Sequence, residues 1–392
     1  MENRTGLFTN MIIWFGVAIS VSEIQAGIQI ASAAPLNSIW VPLILGHLIG
    51  GVLLYFVGLI GARLRVNAME SIKSTFGNLG SKFFAALNVM QLIAWVAVLN
   101  AQGAMALMGL NMPISFALTC VILAVLIAIW VFIGLKRTSK ITSIIMMVLT
   151  ALLVILSIRL LAMGGYNLMP VANSETLTFW NIFEISIAMP ISWLPVISDY
   201  TKDVENPKKA TALSALAYTV ASLWMYFIGI EVVCMGTTDI SQAILISGLG
   251  VQGVIILVLS TVTTNFLATN SAGESAKAIF SRLDPKLAGV VVSFLSAGLA
   301  ISGIMDHYIS FLYLISSVFA PMASVLVVSF YFGNDNNDAK DWYWNIFSWF
   351  VGFAVYQITA GLDSIFLGPT LISVIVSGAL AYAWILVKGK LN

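Results

Sequence analysis

The sequence predicts an all-α membrane protein of about 12 transmembrane helices, and three observations carry that prediction. Of the 392 residues, 60% are hydrophobic and only 9% are charged, whereas a soluble domain carries roughly 25% charged residues. The apolar residues gather in runs of about 20, the length needed to cross the hydrocarbon core of a bilayer. The basic residues collect in alternate connections between those runs, as a fixed orientation in the membrane requires.

The candidate spans lie near 9–31, 39–61, 83–109, 114–135, 141–162, 178–198, 210–235, 249–269, 287–304, 308–332, 343–361 and 366–387. They are too long and continuous for barrel strands, which alternate over runs of about ten. Twelve spans put both termini on one side. Arg4 lies there, with the loops that hold Arg63, Arg65, Lys73 and Lys82, then Lys136, Arg137 and Lys140, then Lys202, Lys208 and Lys209. Lys277, Arg282, Lys286, Lys340, Lys388 and Lys390 follow on the same side, which makes 17 of the 18 basic residues. Only Arg159 falls opposite. The rule of positive inner loops therefore predicts a multi-pass protein of the cell inner (plasma) membrane with cytoplasmic N- and C-termini. The polar start, residues 1–9, has no small-residue cleavage site after it, so the first helix is expected to be retained rather than removed as a signal peptide. The loop 66–81 reads as a short interfacial helix over 68–76, with Met69, Ile72 and Phe76 on one face.

A net charge of +1 offers no basic field for nucleic acid. Cys120 and Cys234 sit in apolar runs and read as small buried hydrophobes, not as a disulfide or a metal site.

Charge within a span is costly and marks function by default. Glu23 lies mid-way along the first span, in a stretch that turns polar from Ser20 and is flanked by Gly16 and Gly27. A helix can break there, because serine hydroxyls re-satisfy freed backbone groups. A carboxylate at that depth needs a cation, a proton or a donor-rich ligand; a hydrogen bond to a neighbouring helix is the competing reading. In the sixth span Pro190 and Pro195 remove two backbone donors just before Ser198, Asp199 and Tyr200, so that span too is expected to be discontinuous. The first and sixth spans are equivalent if the first ten helices form two five-helix halves, and paired irregular segments point to a transporter's site. In the third span Gln91 and Trp95 share a helix face, an amide that reads a ring's edge beside an indole that stacks on it. In the eighth, Ser260, Thr263 and Thr264 project oxygens to one side, as a hard cation such as Na⁺ requires; membrane hydroxyls also bond their own helix carbonyls or a neighbouring helix. Glu184 and Glu231 are expected near the outer ends of their spans, within reach of solvent. His47 reads as a packed, hydrogen-bonded histidine rather than a proton relay. Asp199 with Lys202 reads as a gate or anchoring salt bridge.

These residues resemble the nucleobase:cation symporters of the purine–cytosine permease branch over nearly the whole chain. The landmarks are Gly16 in the broken first span, Gln91 with Trp95, Ser192 with the Asp199–Tyr200 end of the sixth span, and Thr263, Thr264 and Asn265 in the eighth. The local text around Gly61, Ala62 and Arg63, around Ala68 to Ser71, and from Leu87 to Trp95 looks closest to hydroxymethylpyrimidine transporters of thiamine precursor salvage. The resemblance implies a leucine-transporter-type fold in one transmembrane domain, 1–392. A first five-helix repeat would span 1–165, an inverted second repeat 170–335, and two additional helices 341–392. It implies uptake coupled to Na⁺ or H⁺, with no other cofactor. Position by position, it implies a Na⁺ site from the carbonyls of Gly16 and Ile19 and the oxygens of Ser260, Thr263 and Thr264. It implies a substrate site from Gln91, Trp95, Ser192 and Asn265, with Ser20 and Pro190 at the family's stacking positions, so that a ring is clamped on one face only. Glu23 has no acidic equivalent in cytosine permeases, and its acceptor favours a donor-rich aminopyrimidine bearing a hydroxymethyl group. The expected partners are a small pyrimidine, a coupling cation and the lipid bilayer, with the oligomeric state open. An amino-acid carrier of the same fold is the rival within transport, and a cytosine or other nucleobase permease the rival within the family. A membrane enzyme is disfavoured: there is no H-E-x-x-H, and only His47 and His307 are available.

Overall fold

The computed structural model describes residues 4–110, 113–163, 177–333, 339–362 and 365–391, with side chains except at 135–143, 339–340 and 390–391. The described chain is almost wholly helical: α1 Leu7–Ala18, α2 Val21–Ala33, α3 Leu36–Leu64, α4 Ala68–Gly109, α5 Phe116–Ile133 and α6 Leu135–Met163. Then follow α7 Phe179–Ser192, α8 Ile197–Thr201, α9 Pro207–Cys234, α10 Ile240–Ile246, α11 Gly250–Ile279 and α12 Pro285–Ile301. A single 3-10 turn, Ile304–His307, precedes α13 Tyr308–Phe332, α14 Ala339–Ala360 and α15 Gly368–Leu391. Among the described residues the only β pairing is an isolated bridge between Thr5 and Val204.

Eight of these helices are long and apolar enough to cross a membrane, and α1 with α2, bent by 48° at their break, makes a ninth. The remaining three of the twelve expected segments are α7 with α8, each too short because that span is also broken, the 17-residue α12, and α14, whose Trp, Tyr and Asn residues dilute its apolar run. The short helix α10 was not expected. The repeat boundaries at 165–170 and 335 fall outside the described residues, as do the side chains of Lys136, Arg137, Lys140, Lys340 and Lys390.

The breaks have local causes. Ile19 and Ser20 leave helical geometry, and the Ser20 hydroxyl accepts the Glu23 N–H at 3.2 Å, so the serine that interrupts the apolar run is the N-cap of α2. Beyond Pro190, α7 unwinds through Trp193–Val196 turns before α8 restarts. In α4, Gly77 takes φ +69° and separates the expected short helix from the span. Asn67 caps that helix by accepting the Glu70 N–H at 2.9 Å, and Met69, Ile72 and Phe76 are buried beneath it. A Cβ on Gly77 would also lie 2.4 Å from the Trp342 ring of α14.

The segments placed on one side by their charge meet at one end. Thr5 N–H donates to the Asp203 carbonyl at 2.9 Å, Arg65 donates to the Lys202 carbonyl at 3.2 Å, and Lys286 donates to the Phe132 carbonyl at 3.2 Å. Asn345 reaches the Thr75 carbonyl at 2.8 Å, and Lys388 pairs with Asp341 at 2.6 Å. The expected Asp199–Lys202 salt bridge is not formed. Asp199 instead accepts the first N–H of α4, at Ala68, at 2.9 Å, because α8 ends against that helix start and the carboxylate satisfies an otherwise orphaned donor.

Candidate functional site

The start of α2, the middle of α4, the end of α7 and the middle of α11 converge on a buried cavity. Its lining includes Ser20, Glu23, Trp95, Ser192, Trp193 and Thr264. Its volume is about 20 Å³, room for a single water. A planar ring enters only if the walls separate.

Around this junction, buried polar atoms lack partners. Gln91 donates its amide to the Asn88 side chain at 2.7 Å and to the Ser192 carbonyl at 3.0 Å, which leaves its Oε1 unmatched. The Trp95 indole N–H and both amide atoms of Asn265 are buried without partners. Gln102, one helix face along α4, accepts from the Ser22 hydroxyl through Oε1 while its own N–H₂ is unpaired. Unpaired buried polar atoms are costly unless something supplies the missing partner.

Ser260 and Thr264 of α11 both donate to the Ile19 carbonyl in the α1–α2 break, at 2.9 and 3.2 Å. Two hydroxyl oxygens and an unwound carbonyl thus meet at one point. The Gly16 carbonyl, one turn back, accepts the Ile19 N–H at 3.2 Å. Thr263 is turned to its own helix and donates to the Leu259 carbonyl at 2.7 Å. Ser192 likewise donates to the Met189 carbonyl at 2.6 Å.

Glu23 is 2% exposed. Its carboxyl accepts from Tyr218 at 3.0 Å and sits 2.8 Å from the Ser222 hydroxyl, both on α9. No ion pair reaches it among the described residues.

Sequence reading passed over Trp193, Gln102, Tyr218 and Ser222. Trp193 brings to the cavity, beside Trp95, a second indole that the expected one-faced clamp did not include. Pro190 faces elsewhere: its ring fills the space above Gly50 of α3, where an added Cβ would lie 2.2 Å away. A larger cavity of about 370 Å³ lies among α7, α13, α14 and α15, bordered by Trp180, Glu184, Tyr313 and Tyr356. Glu184 there is buried, as is Glu231, rather than solvated as expected, and it is committed to Thr370, accepting the backbone N–H at 3.0 Å and the hydroxyl, so it anchors the start of α15.

Residues 1–343 match the model of the permease family for cytosine/purines, uracil, thiamine and allantoin. The chain belongs to that family. The cytosine permease of Escherichia coli K12 is 20% identical over 341 residues, which cover 83% of this chain and 78% of the permease. An inward-facing conformation of Mhp1 superposes with a TM-score of 0.78 at 21% identity, covering 99% of this chain and 92% of that one. The L-phenylalanine complex of MhsT superposes with a TM-score of 0.65 at 15% identity, covering 99% and 98% of the two chains. The fold is therefore of the leucine-transporter type, with five plus five helices in inverted repeat and two more at the C-terminus. As a member of the family this permease is a multi-pass membrane transporter, not an enzyme.

Proposed function

We propose that this permease takes up a pyrimidine-type solute, with hydroxymethylpyrimidine the first expectation and cytosine the second, by cation-coupled alternating access across the inner membrane with both termini cytoplasmic. The observation that carries the reading is the set of unmatched donors and acceptors, Gln91 Oε1, the Trp95 N–H and the Asn265 amide, beside a cavity with a carboxyl and two indoles. A pyrimidine offers alternating donors and acceptors on its edge and two apolar faces. Gln91, Asn265 and Ser192 read the edge, Trp95 stacks, and Glu23 accepts an exocyclic amine or ring N–H. The cytosine permeases among the relatives support the substrate class, and the extra carboxyl favours the ligand with more donors.

The coupling cation is cargo, and the Ile19 carbonyl with Ser260 and Thr264 suits Na⁺ in kind: neutral oxygens drawn from two helices, with Gly16 and Thr263 adjacent. Rotation of the two hydroxyl hydrogens away from Ile19 would turn three oxygens toward an ion.

Thermal stabilisation of the purified protein tests the reading, because a ligand that binds only the folded state raises the melting temperature. The panel is hydroxymethylpyrimidine, cytosine, uracil, hydantoin, thiamine and several amino acids, each with and without Na⁺. The expected result is a shift with hydroxymethylpyrimidine that grows with Na⁺. A shift with cytosine alone moves the substrate within the family, and shifts only with amino acids reject the pyrimidine pocket.

A further inference from the structure

Glu23 is the cavity end of a buried chain of hydrogen bonds that runs away from the cavity. Its carboxyl lies 2.8 Å from the Ser222 hydroxyl, which lies 2.7 Å from Nε2 of His47. Nδ1 of His47 lies 2.7 Å from the Ser186 hydroxyl, which donates to the Leu43 carbonyl at 2.6 Å, and a longer contact of 3.2 Å from Nδ1 to the same carbonyl shares the one ring hydrogen. His47, Ser186 and Ser222 are each fully buried.

Hydrogens can be counted along this chain. It has four links, Glu23–Ser222, Ser222–His47, His47–Ser186 and Ser186–Leu43, and each link needs one hydrogen. The two serines supply one each and a neutral imidazole supplies one. The fourth has no source except a proton held on Glu23 or on His47. The terminal carbonyl cannot donate, so with all four links made Ser186 gives its hydrogen to Leu43, and His47 carries a hydrogen on Nδ1. Either Glu23 is then protonated and donates to Ser222, which donates to Nε2, or the proton has crossed and an imidazolium donates through Ser222 to a carboxylate. Removing the proton leaves two lone pairs facing each other at 2.8 Å, or forces the opposite histidine tautomer and breaks the Ser186–Leu43 bond.

We propose that Glu23, Ser222 and His47 together hold one exchangeable proton that stays on the carrier when the substrate binds. This rests on the reading of Glu23 as an acceptor for a ligand amine. A neutral carboxyl accepts a ligand N–H through its carbonyl oxygen, but a carboxylate accepts it more strongly, so a bound amine makes a demand on the Glu23 proton. Ser222 meets that demand without losing the proton: Glu23 gives its hydrogen to Ser222 Oγ as Ser222 gives its own to Nε2. The loaded carrier is then a carboxylate and an imidazolium bridged by one hydroxyl, with the same number of protons as the empty one. The other ionisable groups near Glu23 are the phenols of Tyr218 and Tyr226 on α9 and Tyr308 on α13. Each phenol already has an acceptor: Tyr218 donates to Glu23 itself, Tyr226 to the Ile185 carbonyl at 3.2 Å, and Tyr308 to the Ser22 carbonyl at 3.3 Å. The Tyr226 ring meets the imidazole edge-on at 4.8 Å between centroids and fixes its plane.

The test is infrared difference spectroscopy of the purified full-length protein, paired with a pH indicator in weak buffer. Without ligand, the wild type is expected to show a protonated-carboxyl C=O band that disappears in Glu23→Gln and whose titration midpoint moves by about one pH unit in Ser222→Ala and in His47→Gln. On adding whichever panel compound raises the melting temperature, the band should vanish and an imidazolium signal appear, with no proton released to solution. In Ser222→Ala the relay is cut, and binding should release roughly one proton per ligand. A wild type without a carboxyl band assignable to Glu23, or one that releases as much proton on binding as Ser222→Ala, overturns the proposal. If no panel compound binds, the pyrimidine reading falls, and the ligand-free spectra still decide whether the network holds its proton.

Discussion

Trp95 lines the cavity with its indole N–H unmatched, packed edge-on against Phe311 at 5.3 Å and Tyr308 at 6.3 Å. Those rings fix its plane while one face remains for a ligand. Replacing Trp95 with Ala should therefore cost about 1–2 kcal/mol of ligand affinity, read as a weaker thermal shift at fixed ligand; unchanged binding would remove stacking from the mechanism. Thr264 tests the ion corner in the same way. Thr264→Ala deletes one of the two hydroxyls that meet at Ile19, and uptake in that variant should need several-fold more Na⁺ to reach half its maximum, while Na⁺ dependence equal to wild type would place the ion elsewhere. Glu23, Gln91 and Trp95 were legible because a polar or amphipathic group inside an apolar run is expensive. Tyr218 and Ser222 were not, since serines and tyrosines are ordinary in membrane helices and only the packing of α9 on α2 singles these out. Trp193 was not legible either, because the backbone between Pro190 and Pro195 leaves helical geometry and spacing there assigns no face to a side chain.

Among the elements, α2 and α9 pack backbone on backbone. A Cβ on Gly27 would lie 2.3 Å from the Tyr226 carbonyl, and one on Gly229 would lie 2.1 Å from the Ile24 carbonyl. Backbone meets backbone there, with no flexible side chain to yield. Gly229→Ala should push α9 from α2 and lower stability by about 1–3 kcal/mol, seen as a lower melting temperature in detergent; a wild-type melting curve would mean the helices close by some other contact. The same displacement would stretch the Tyr218 and Ser222 bonds to Glu23, so the glycine pair sets the register of the carboxyl as well as the packing. The broken first and sixth spans and the interfacial helix could be read from Gly16, Ser20, Pro190, Pro195 and the polar loop 66–81, because each break leaves a backbone group that only a nearby residue type can satisfy. The helix α10 could not, since its seven residues are too few for a periodic signal.

At the scale of the whole molecule, the end that carries the basic loops is latched by contacts between segments far apart in sequence. Asp199 of α8 holds the first N–H of α4, Tyr200 donates to the Leu267 carbonyl of α11 at 2.8 Å, and Thr5 and Arg65 clasp the loop that follows α8. The broken sixth span is therefore pinned at its lower half to both α4 and α11, the helices that also supply Trp95 and Thr264 to the cavity. An opening toward that end has to release these bonds before the cavity can widen beyond its 20 Å³. Asp199→Ala removes one acceptor and leaves the Ala68 N–H unpaired. The loss of about 1–2 kcal/mol from the latched state corresponds to roughly a five- to thirtyfold larger open population. A reporter cysteine at Ala268, which lines the cavity, measures it when Cys234 is replaced by serine and Cys120 stays buried. In Asp199→Ala the reporter should react faster with a membrane-impermeant maleimide added from the basic-loop side, and the gain should shrink when ligand and Na⁺ favour the closed carrier. Equal rates with and without the carboxylate would mean that α8 moves together with α4 and that the hinge lies higher, at the Trp193–Val196 turns.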